Sequence, residues 1–166
     1  VHTPTSAGPG VLGFGDNVKD ILLAPMRQLS FWKMKDRARA FGESGGHDLL
    51  RKLQQAAPGT RFHLMGHSFG CIVVSATVAG GRVSQPLLRP VESLFLVQGA
   101  LSLWAYAADI PYAPGTAGYF HRIVKGRLVR GPIVTTRSTK DTAVGRFYPM
   151  GAKLKKQFML DDMNLA

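Results

Sequence analysis

A single cysteine, Cys71, stands in 166 residues, so no disulfide can form within the chain. This excludes the cross-linked framework of small secreted domains, and the expected setting is reducing and cytoplasmic. No apolar run approaches the ~18 residues that a membrane-spanning helix requires. Residues 1–15, rich in Gly, Pro and Thr, lack the apolar centre of a signal peptide and are expected to form a loop or frayed end. Acidic residues are few: 10 Asp and Glu against 21 Lys and Arg, a formal net charge of +11. Only five histidines occur, His2, His47, His63, His67 and His121. None has a carboxylate or thiol partner at metal-ligand spacing, so neither a metal nor another cofactor is expected.

What is present suits one globular domain over residues 16–166. The length is that of a single domain, and the 45% apolar content is ordinary for a chain with a buried core. The basic residues fall in clusters: Lys33, Lys35, Arg37 and Arg39, then Arg122, Lys125, Arg127 and Arg130, then Lys153, Lys155 and Lys156. The alternate spacing of the first scatters charge around a helix instead of along one face. No nucleic-acid recognition module accompanies the charge, which therefore reads as solvated surface, with no nucleic-acid partner.

Helical spacing runs from Val18 through Ile21, Leu22, Leu29 and Trp32, with Pro25 as a kink, and continues through Phe31, Met34, Ala38 and Phe41. Gly42 is expected to stop this helix, and Gly45-Gly46 to hold the break open. A second helix should place Leu49, Leu50 and Leu53 on one side and end at Pro58-Gly59. Strands are expected at Arg61 to Met65, Ser93 to Val97 and Pro132 to Thr136. The run Leu94-Phe95-Leu96-Val97 suits a parallel strand covered on both faces. A short helix is expected around Tyr119 to Val124, and one more over Lys153 to Leu160. Strands alternating with helices imply an α/β fold with a parallel sheet.

The chemistry concentrates in Gly66-His67-Ser68-Phe69-Gly70. An apolar strand with Phe62, Leu64 and Met65 leads directly into it. A run of small and apolar residues, Phe69 to Ala79, leaves it and reads as a buried helix ended by Gly80-Gly81. A strand that turns at once into a helix presents a serine hydroxyl on a sharp, strained tip. Glycines two before and two after the serine let the chain fold back without collision. The start of the following helix aims backbone N–H groups at a developing oxyanion.

With Arg61-Phe-His-Leu-Met-Gly-His-Ser-Phe-Gly-Cys71, the chain resembles the α/β-hydrolase superfamily, the esterase and lipase-like serine hydrolases. The resemblance extends from the helix before the elbow strand to about Gly151. It implies Ser68 as nucleophile, Phe69 as a backbone donor of the oxyanion hole, and Gly66, His67 and Gly70 as the elbow. The family's acid follows the second strand after the elbow, and Asp141 matches that position and type; Asp109 is the runner-up. The family's histidine follows the acid, yet none follows Asp141. His121 is the candidate replacement base, His67 packs or hydrogen-bonds at the elbow, His63 is a core or layer-facing residue, and Cys71 is buried packing.

Early strands are also missing before Arg61, so the expectation is an incomplete central segment of that fold, whose open strand edges favour self-association. The apolar stretch Ala100 to Tyr112 leaves the edge where α/β sheets place their sites. Leu101, Leu103, Trp104 and Tyr106 there are candidates for a substrate wall or, equally, for core packing. The expected function is hydrolysis of a small-molecule ester or acyl substrate through an acyl-enzyme on Ser68. The alternatives are a non-catalytic α/β-hydrolase-like binding domain and a basic interaction module.

Overall fold

The computed structural model describes residues 32–82 and 84–138. The expected helix over 16–31, the helix over 153–160 and Asp141 lie outside the described residues. The chain divides into two compact units, Val1–Trp32 and Lys33–Ala166.

Helix α1 is α-helical over 33–41, π-helical over Gly42–Gly46 and α-helical again over His47–Ala56. The glycines therefore do not break the helix, contrary to the expectation from their type. Their role is close approach to the next helix. A Cβ at Gly42 would stand 2.5 Å from Val73 O and 2.6 Å from Ala76 Cβ, and one at Gly46 would strike the Thr77 hydroxyl. Glycine's lower helix propensity is outweighed here by packing that no side chain permits.

Strand β1 (His63–His67) runs into α2 (Phe69–Ala79), which is followed by β2 (Ser93–Val97), the short helix α3 (His121–Lys125) and β3 (Ile133–Thr136). The three strands form a parallel sheet in the order β1-β2-β3. His63 pairs with Ser93, His67 with Val97, and Leu94 with Ile133. This is an α/β arrangement of a small parallel sheet with flanking helices. Strand β1 begins two residues later than its apolar pattern suggested.

Helix α2 lies against β1 and β2, and α1 and α3 pack on α2. Cys71 of α2 with Leu94 and Leu96 of β2 forms a fully buried centre, and Leu64, Val74, Leu101, Tyr106 and Val129 pack around it. Residues alternate across a strand, so Met65 and Phe95, paired in register, point the other way and are 73% and 39% exposed. Strand β2 is thus covered on one face and open at Phe95 on the other among the described residues, where its unbroken apolar run suggested cover on both. No helix among them is long and apolar enough to cross a membrane.

The buried stripe of α1 also departs from expectation. His47, Leu50 and Gln54 are buried, while Leu49 and Leu53 are exposed. Two polar side chains outcompete two leucines because each meets backbone groups that need partners. His47 ring nitrogens lie 2.7 Å from Thr77 O and 2.8 Å from Gln85 O. The Gln54 amide donates to Arg89 O at 2.8 Å and accepts from Leu88 N at 2.9 Å and Arg89 N at 3.3 Å. Arg89 in return donates to the carbonyls of Gln54, Ala57 and Thr60, satisfying the C-terminal end of α1. Glu43 joins α1 to α3 by accepting from the Tyr119 hydroxyl and pairing with Arg122 at 3.3 Å.

Candidate functional site

Between the last residue of β1, His67, and the first of α2, Phe69, there is one residue, Ser68. Its backbone takes φ 54 and ψ −119. Such a conformation is uncommon outside glycine and costs on the order of 1–3 kcal/mol, so its surroundings must hold it. Ser68 N–H donates to Val97 O at 3.1 Å, and Ser68 O accepts from Cys71 N and Ala100 N, each at 3.1 Å. The Cys71 thiol lies 3.1 Å from Gly66 O and 3.5 Å from Val97 O. The turn is therefore clamped to the end of β2 on one side and braced by α2 on the other. Burial pushes the Cys71 thiol pKa up, which suits a packed donor and not a thiolate nucleophile.

The two elbow glycines are not equivalent. A Cβ at Gly66 would overlap the carbonyl of Gly70 and come within 2.7 Å of Cys71 N, because the helix folds directly back over the strand. A Cβ at Gly70 would meet nothing within 4 Å. Only Gly66 is required for clearance, where both were expected to be.

Ser68 is half-buried at the N-terminus of an 11-residue helix that carries no charged residue. The helix dipole is positive there and has no acidic side chain in the first turn to offset it. No described residue hydrogen-bonds Ser68 Oγ. Phe69 and Gly70 are also half-buried, beside it.

No described histidine hydrogen-bonds the serine. His63 Nδ1 lies 2.7 Å from Ser93 Oγ, His121 Nδ1 lies 3.4 Å from Tyr106 O, and both ring nitrogens of His47 face carbonyls. His67 is exposed at the end of β1. Asp109 Oδ1 accepts from Gly115 N at 2.7 Å and closes its own loop. Among the described residues, no three His, Cys, Asp or Glu side chains gather where a metal could bind.

The four candidate wall residues divide. Leu101 and Tyr106 pack on the core. Tyr106 OH lies 2.6 Å from Ser75 Oγ, which itself donates to Cys71 O at 2.6 Å. Burial pushes the Tyr106 pKa up to about 12. Trp104 meets Tyr112 edge-on with ring centroids 6.4 Å apart, and Leu103 is 81% exposed.

One residue beside the serine escaped the sequence reading. Gln98, the first residue after β2, has φ 45. Its only signal in the sequence is its place between an apolar strand and Gly99. No family model matches the chain, and no curated protein or solved structure matches it.

Proposed function

We propose that this chain is a serine hydrolase domain of the α/β-hydrolase type, acting on carboxylic esters through an acyl-enzyme on Ser68. The observation that carries the reading is the Ser68 backbone, φ 54 and ψ −119, at a one-residue joint between a parallel strand and a helix. A solvated glycine-rich turn has no reason to hold a serine in that strained form. Ser68 Oγ would lose its proton to solvent and bond to the acyl carbon while the carbonyl electron pair moves onto oxygen. Collapse then expels the alcohol's oxygen, which takes up a proton, and water releases the acid by the same route. The start of α2, with Phe69 first, supplies positive potential to the oxyanion. Asp141 holds the position of the acid by family resemblance.

A second reading has its own support. Every described histidine except His67 is engaged away from Ser68. Without a base the serine is a weak nucleophile, and the domain would bind acyl groups without turning them over. Intact-mass labelling with a fluorophosphonate, compared with Ser68→Ala, separates the two. The hydrolase reading expects one adduct that the variant loses. An unlabelled chain of native fold would leave binding as the function.

A further inference from the structure

Ser68 is not alone in its strain. Among the described residues three non-glycine residues have positive φ, and two of them, Ser68 and Gln98, are neighbours across β1 and β2. The last paired rung of these strands is His67 with Val97, which puts Ser68 beside Gln98 on the next. The backbone bonds agree: Ser68 N–H reaches Val97 O, and Ala100 N reaches Ser68 O, so Gln98 lies within the segment that grips the serine. Its own N–H is fixed from the other side by Thr136, through the carbonyl at 3.1 Å and the hydroxyl at 3.3 Å. The Gln98 backbone is thus anchored at the sheet edge that carries the serine.

Its side-chain amide has no hydrogen-bond partner among the described residues, and the residue is half-exposed. Glycine or asparagine adopts positive φ at lower cost than glutamine. A strained backbone at a residue with an unpartnered carboxamide, one strand across from a candidate nucleophile, is the kind of outlier from which a functional role follows.

On the serine-hydrolase reading above, the geometry points to Gln98 as a substrate-binding residue whose carboxamide N–H donates to the acyl oxygen of a bound ester. It would supply an oxyanion donor from the strand following the nucleophile, complementing the helix start on the other side of Ser68. A neutral amide donates without titrating, and one carried on a backbone fixed from both neighbouring strands starts from a defined position beside the serine.

The test is the rate of labelling by a fluorophosphonate, read by intact mass for wild type, Gln98→Gly, Gln98→Asn and Ser68→Ala. Labelling forms the Ser68 Oγ–P bond and breaks P–F; fluoride leaves with the electron pair and the serine proton passes to solvent. The phosphoryl oxygen takes the place of the acyl oxygen. Gln98→Gly removes the amide while relieving the strain, so labelling should slow on the order of 10²-fold, with thermal stability equal to or above wild type. Gln98→Asn keeps an amide and should recover part of the rate. Gln98→Gly labelling at the wild-type rate, or losing rate and stability together, overturns this inference and leaves the Ser68 reading standing. A wild-type chain that is never labelled overturns both.

Discussion

Alanine at Gly66 should damage the serine's joint, whereas alanine at Gly70 should not. A Cβ at position 66 is aimed at the Gly70 carbonyl and at Cys71 N, 2.7 Å away, and both are backbone in the first turn of α2. No flexible side-chain end is available to yield, so either the strand or the helix must move. Overpacking costs ~1–3 kcal/mol, and a backbone obstacle places Gly66→Ala at about the top of that range. Position 70 is open, and alanine is up to ~1 kcal/mol better than glycine in a helix. At roughly 4 °C per kcal/mol, Gly66→Ala should lower the melting temperature by about 10 °C or more, while Gly70→Ala should leave it unchanged or slightly raised. Circular dichroism melts of the two variants and wild type give the comparison. Fluorophosphonate labelling should fall only in Gly66→Ala. Two variants with equal melting temperatures, or Gly70→Ala the worse, would refute the reasoning.

Two further outcomes follow from buried polar groups. Tyr106 keeps its proton to about 12 when folded, against about 10 for an exposed tyrosine. Between those values the folded chain binds more protons than the unfolded one, so stability falls as pH rises, by roughly 2–3 kcal/mol from this residue. Tyr106→Phe should flatten that decline in denaturant unfolding at about pH 9 and about pH 12; parallel slopes would contradict the assignment. Gln54→Ala strips the partners from Leu88 N, Arg89 N and Arg89 O, and should cost about 2–3 kcal/mol in urea unfolding. A loss below about 0.5 kcal/mol would mean that water replaces the amide.

The elements near the serine were legible because local pattern and tertiary role agree there. The apolar run before Gly66 is a strand, the small-residue run after Ser68 is a helix, and Ser93–Val97 pairs in parallel as its composition implies. Gly42 and Gly46 misled because a glycine that ends a helix and one that admits a neighbouring helix look alike until Val73, Ala76 and Thr77 are in place. His47 and Gln54 were passed over for Leu49 and Leu53 because their partners, Thr77 and Arg89, lie 30 and 35 residues away. Gln98 gave no warning, since a strained φ at a non-glycine residue is imposed by the surrounding chain and leaves no trace in its residue type.

The grip of Val97 and Ala100 on Ser68 sets an order of events as the chain folds. Strand β1 and helix α2 adjoin in sequence and need only local contacts to form. The pairing of His63 with Ser93, and then of Leu94 with Ile133, closes loops of dozens of residues, whose entropy is lost before their contacts compensate. Until β2 arrives, nothing across the sheet offsets the left-handed backbone at Ser68, and the serine is free to relax. The strained turn at Ser68 is therefore a late product of folding, and a chain emerging during synthesis should lack it until the residues around Val97 and Ala100 have docked.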